Sequence, residues 1–175
     1  VSKKNTGGAR AIVPFELTWI IDIFGYPKGV FSKIKKTMSI DGADEIDDTY
    51  FLMLDYETSI INLNVDVVSR KATRILILNF EKGQLIWNWE NNFISQYDAI
   101  NQVENKFNYE TLNFKGYNKN ISELMYIEEL KSFFSSISNK NICFPNNIKK
   151  DKKIINILLS AENSNISGNK TDLIV

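Results

Sequence analysis

Glu16 is the carboxylate whose surroundings point most directly to chemistry. Residues 11–24, AIVPFELTWIIDIF, are apolar except for Glu16, Thr18 and Asp22. The stretch predicts a short, mostly buried helix over about 14–24. Pro14 fits its first turn, and Gly25 with Pro27 stops it. Such a helix gives its polar members little solvent. Glu16 then has two readings. It is a first-turn carboxylate favoured by the helix dipole, or a polar group in a cleft that bonds substrate hydroxyls. Asp22 reads as a solvated or capping residue.

Other reactive types are scarce. The 175 residues contain no histidine, which excludes an imidazole acid/base and imidazole metal ligands. The single cysteine, Cys143, stands between Ile142 and Phe144. It reads as a core residue, because a reactive thiolate needs a basic neighbour. The acidic run 39–48, SIDGADEIDD, lacks the spacing of a calcium loop and reads as a solvated linker. No metal site is expected. Arg70, Lys71 and Arg74 follow an alternating segment. They suit a substrate phosphate or a partner carboxylate, or are plain turn cations. Trp87, Trp89, Phe93 and Tyr97 lie on adjacent segments and read as core or interface packing more readily than as base-stacking platforms.

Lys plus Arg and Asp plus Glu both number 21, so the formal charge is zero. A dedicated nucleic-acid binder usually carries a basic excess, so no nucleic-acid partner is expected. At 43% hydrophobic residues the composition is that of a globular domain. No apolar run reaches the ~18 residues of a membrane span, and no signal peptide opens the chain, so the expected location is cytoplasmic with no membrane partner. There is no G-x-G-x-x-G after a strand and no phosphate-binding loop pattern. The start at Val1, running straight into Gly7-Gly8, reads as a piece of a longer chain.

From Gly29 to about Glu90 the period becomes two. Strands are expected over 29–38, 50–54, 60–67, 74–80 and 84–89, the last two joined by a hairpin through Glu81-Lys82-Gly83. One or two short strands are expected within 92–118. A helix follows over 121–137, with Asn118 or Asn120 as N-cap and an apolar face of Ile121, Leu124, Met125, Leu130, Phe133, Phe134 and Ile137. The last helix is expected over about 147–162, with Ile154, Ile155, Leu158 and Leu159 apolar and Lys149, Lys150, Lys152 and Lys153 solvated. The tail, 165–175, is expected to be loose until its last three residues. The fold class is α+β: a largely antiparallel open sheet with helices on one face. The other face carries apolar residues too, and a second copy of the chain is the natural cover.

Several stretches together resemble one family. VSKKNTGGA followed by PFELTWIIDIFGYPKGVFSK, then IDDTYFLMLDYETSIINLNVDVVSR, RILILNFEKGQLIWNW and MYIEELKSFFSSISNK, are similar to the C-terminal domain of the glucose–fructose oxidoreductase/inositol dehydrogenase family of NAD(P)-dependent oxidoreductases. The likeness covers 1–164. It implies a substrate-binding and oligomerisation domain of a two-domain enzyme acting on a sugar, cyclitol or sugar nucleotide. NAD or NADP would be held by the N-terminal dinucleotide domain, which is absent, so this chain alone would hold no cofactor and show no activity. The positions matching the family's acid–histidine–acid helix are Ile12, Phe15 and Thr18, so phenylalanine stands where the proton-transferring histidine belongs. Glu16 is the implied replacement. Lys4, Phe15, Glu16 and Arg70 are the implied substrate-binding residues, and the sheet face is the implied homo-oligomer interface. The missing histidine also admits a non-catalytic relative that keeps the fold for dimerisation or ligand binding.

Overall fold

The structure is a computed structural model, and it describes residues 6–109, 123–139 and 141–174. The chain divides into two compact units: Val1–Ser69 with Asn146–Val175, and Arg70–Pro145.

The first unit holds α1 (Ala9–Phe24), β1 (Gly29–Lys35), β2 (Thr49–Asp55) and β3 (Ile60–Asp66). The second holds β4 (Ile75–Phe80), β5 (Gly83–Asn88), β6 (Phe93–Asp98), β7 (Val103–Asn108) and α2 (Glu123–Ser138). The chain then returns to the first unit with α3 (Ile148–Ser167) and the two-residue β8 (Thr171–Asp172). The α+β class and antiparallel pairing match the sequence reading. The strands form two four-stranded sheets, β3-β2-β1-β8 and β4-β5-β6-β7, where one sheet across 29–90 was expected.

In the first sheet β2 is central between β1 and β3, with Leu52 opposite both Ser32 and Leu63. Val30, Ile34, Tyr50, Leu52, Leu54 and Val65 are buried beneath α1 and α3. The opposite face alternates in character: Phe31, Met53 and Phe51 stand among Lys33, Lys35, Asn62 and Asn64. Each helix contributes one stripe to the core. On α1 it is Ala9, Val13, Leu17 and Ile20. On α3 it is Ile154, Ile157, Leu158 and Ala161, with Ser160 and Ser164 letting the helix approach closely. Ile155 and Leu159 are exposed.

The tail differs from the loose segment expected. Helix α3 runs on to Ser167 and ends at Gly168 in the left-handed conformation, and β8 pairs Thr171 with Val30. Because β8 is so short, most of the outer edge of β1 has no strand partner among the described residues. Side chains of α3 take its place: Ser164 Oγ accepts the N–H of Ser32 at 3.1 Å, and Asn165 Oδ1 accepts that of Ile34 at 3.0 Å.

In the second sheet the register sets Leu76, Trp87, Ile94 and Phe107 in one row on one face, with Leu78 and Leu85 beside it. Gly83 closes the β4–β5 hairpin as expected, but close approach is the reason for glycine there. A Cβ at Gly83 would stand 2.2 Å from the carbonyl oxygen of Tyr97 on β6. Helix α2 forms, while Met125, Leu130, Phe133, Phe134 and Ile137 on its apolar side are exposed. Ile121 and the expected caps Asn118 and Asn120 lie outside the described residues. Cys143, expected in the core, is exposed. No helix of the described residues is long and apolar enough to cross a membrane.

Candidate functional site on helix α1

Helix α1 starts at Ala9, five residues before the expected turn at Pro14. Pro14 therefore sits inside the helix, where it removes one N–H near the N-terminal end. Thr18 is not a cleft group: its Oγ1 donates to the carbonyl of Pro14 at 2.8 Å. Glu16 is well past the first turn, which contains no acidic residue. This removes the helix-dipole account of Glu16, because that effect fades beyond the first turn.

The buried stripe of α1 leaves its other side open. Phe15 is 73% exposed and Ile23 63% exposed, with Ile12 on the same side. Between this open side and the core stand Glu16 and Trp19, both half-buried. Trp19 packs against the core, and its Nε1–H donates to Glu16 Oε2 at 2.8 Å. The open side thus presents an apolar surface with one oriented carboxylate. It can stack against the C–H face of a ligand and accept hydrogen bonds from its hydroxyls.

Of the expected site, Phe15 and Glu16 stand side by side on α1. Arg70 is exposed and belongs to the second unit. Lys4 lies outside the described residues. Asp22 is exposed and accepts from Lys150 Nζ at 2.6 Å, while Lys150, expected solvated, is largely buried.

A second polar arrangement has no local signature in the sequence. Arg10 on α1 donates from Nε to Glu162 Oε1 at 2.5 Å and from its terminal nitrogen to Oε2 at 3.2 Å. The pair borders a pocket of about 220 Å³ lined also by Tyr50, Asp47, Ile34, Asn165 and Ile166. The bond to Glu162 raises the Arg10 pKa above its ordinary value. Burial, and then the charge of Glu162, raise that of Tyr50, which stays a neutral phenol. The arrangement ties α1 to α3 and keeps its charges mutually engaged.

The acidic linker also departs from the solvated loop expected. Asp48 is fully buried. Its carboxylate accepts the N–H groups of Thr37 and Met38 and the hydroxyls of Thr37 and Thr49, all at 2.8–2.9 Å. Burial alone would raise its pKa; the backbone N–H of Met38 and Thr37, with the two hydroxyls, outweighs it and leaves the group below the ordinary aspartate value. Asp48 is a structural anchor. Among the described residues no group of three or more His, Cys, Asp or Glu side chains could hold a metal ion.

The glycine pair precedes a helix N-terminus, as a phosphate site would require. Yet a Cβ at Gly8 would stand 2.7 Å from the carbonyl oxygen of Asp47. Glycine at position 8 thus lets the backbone of Asp47 pack closely against the entrance of α1.

No protein-family model matches the chain, and no curated protein matches it in sequence. Solved structures do match. Levoglucosan dehydrogenase in complex with NADH and levoglucosan is similar with a TM-score of 0.75 at 11% identity, over 97% of this chain and 51% of that one. An oxidoreductase from Agrobacterium radiobacter in complex with NAD+, L-tartaric acid and magnesium is similar with a TM-score of 0.74 at 11% identity, over 91% of this chain and 47% of that one. The chain spans about half the length of the structures it matches. It has the fold that the sequence resemblance implied for the C-terminal half of such oxidoreductases.

Proposed function

We propose that this chain is the substrate-binding and oligomerisation domain of an NAD(P)-dependent oxidoreductase acting on a sugar, cyclitol or sugar nucleotide. The observation that carries the reading is the fold match over 97% of the chain to half of a dehydrogenase bound to NADH and an anhydrosugar. NAD or NADP, which supplies hydride transfer when bound, belongs in this reading to a domain outside the chain. The chain's own residues form one wall of the substrate cleft along the open side of α1. Phe15 offers a ring to the ligand's C–H face, and Glu16 accepts from a hydroxyl and takes its proton. In this reading the location is cytoplasmic.

A second reading, a non-catalytic relative, is favoured by one observation. Phe15 is the most exposed large side chain on α1 and carries no titratable group where the family places its histidine. The two readings part in one assay. The complete protein, offered NAD or NADP with a panel of aldoses, cyclitols and nucleotide sugars, is followed at the absorbance of the reduced nicotinamide. Turnover of one class supports the enzyme. Saturable sugar binding without turnover supports the relative. Neither turnover nor binding overturns both.

A further inference from the structure

The Trp19–Glu16 hydrogen bond is unusual in its one-sidedness. Indole Nε1–H is a donor only and carries no exchangeable charge, so it can hold a carboxylate without competing for a proton. The two residues are three apart on α1, the spacing at which helical side chains meet. The body of Trp19 packs against the core formed by residues such as Val13, Leu17 and Ile20, so its ring is held by apolar contacts on the buried side. Glu16, by contrast, lies in a row of apolar neighbours. A glutamate has three side-chain torsions and, untethered on an exposed helix side, samples many rotamers.

We propose that Trp19 is a positioning residue: it fixes the rotamer of Glu16 so that the carboxylate meets a ligand hydroxyl on the open side of α1. This rests on the functional reading above and deepens it. Trp19 need not touch substrate. It acts by holding Oε2, at 2.8 Å, and so setting the plane and direction of the whole carboxylate. Orientation of this kind raises rate through pre-organisation, and misplacement by about 1 Å can cost on the order of 100-fold.

The test is a double-mutant cycle on the complete protein, Trp19→Phe and Glu16→Gln singly and together, read in kcat and KM and by the indole N–H resonances. Trp19→Phe keeps the aromatic packing and deletes only the donor. It should lower kcat about tenfold with KM nearly unchanged, and it should cost nothing further once Glu16→Gln is present. The Trp19 indole resonance, identified by its loss in Trp19→Phe, should shift in Glu16→Gln. Additive losses, or full kcat in Trp19→Phe beside a disabled Glu16→Gln, overturn the positioning role. If the wild-type protein turns over no sugar, the functional reading has failed. The indole resonance then decides by itself: no shift in Glu16→Gln overturns the hold of Trp19 on Glu16, and a shift sustains it.

Discussion

Arg10 and Glu162, 152 residues apart in sequence, form a two-armed ion pair that clamps the first turns of α1 to the middle of α3. Both side chains are about three-quarters buried. Cutting the pair removes charge-assisted hydrogen bonds in a place that water reaches only in part. Glu162→Gln or Arg10→Met should therefore cost about 1.5–3 kcal/mol of unfolding free energy, the range for hydrogen bonds to charged groups. Urea denaturation followed by circular dichroism measures this. A loss under a few tenths of a kcal/mol would place the pair with ordinary surface ion pairs.

Asp48 makes the fold acid-sensitive. Its pKa is depressed in the folded chain, so it contributes stability that is present above the unfolded value, about 4, and fades as pH falls through the lower folded value. Asp66, capped by the side chain and N–H of Ser69, acts in the same direction. Asp48→Asn should destabilise the chain at pH 7 by about 1–3 kcal/mol. It should also flatten, without abolishing, the fall in urea midpoint between pH 5 and 2. An unchanged pH slope in the variant would remove Asp48 from this account.

Gly83 is fixed by the backbone of β6. In Gly83→Ala the new methyl collides with a carbonyl that has no flexible end to move. The expected cost is about 1–3 kcal/mol or more. Hydrogen exchange should locate it, with amides of β4, β5 and β6 exchanging faster than in the wild type. Equal protection in the two proteins would mean that the hairpin opens without effort.

The 175-residue chain should bind no NADH in calorimetric titration at micromolar concentration. The reason is local: the sequence has no G-x-G-x-x-G after a strand and no phosphate-binding loop pattern. Saturable micromolar binding would show a phosphate cradle that the described residues do not contain.

The row Leu76, Trp87, Ile94 and Phe107 gives the second unit an apolar face. Pairing with a second copy covers such a face by two-fold symmetry. At micromolar concentration the chain should sediment as a dimer. A species of 20.1 kDa at every concentration would show that the sheets do not mediate association.

Much of the fold could be read from residue patterns, because it rests on local periodicity. The alternation of Ile61, Leu63 and Val65 and the Glu81-Lys82-Gly83 turn placed β3 and the β4–β5 hairpin to within a residue or two. What failed was long-range. Pro14 looked like a helix start because a proline inside a helix is usually costly, yet α1 needs its first turn so that Ala9 and Val13 reach the core. The run DGADEIDD shows nothing that singles out Asp48, since its burial depends on donors from Thr37 and Met38. The apolar neighbours of Cys143 suggested a core that the chain does not build there. Glu16 was legible as an isolated carboxylate. Its link to Trp19 was latent in the i, i+3 spacing, whereas Arg10–Glu162 had no such trace.

The substitution of α3 side chains for a strand along β1 bears on how the chain avoids self-association of the wrong kind. An unpaired strand edge is a template for another molecule's backbone, and from there for fibrillar growth. Ser164 and Asn165 occupy the donors of Ser32 and Ile34 with side-chain oxygens, which cannot propagate a ladder. The first sheet is thereby sterile on that border. Its protection depends on the last turns of α3 staying wound, so fraying at Gly168 would uncover a growth point two hydrogen bonds long.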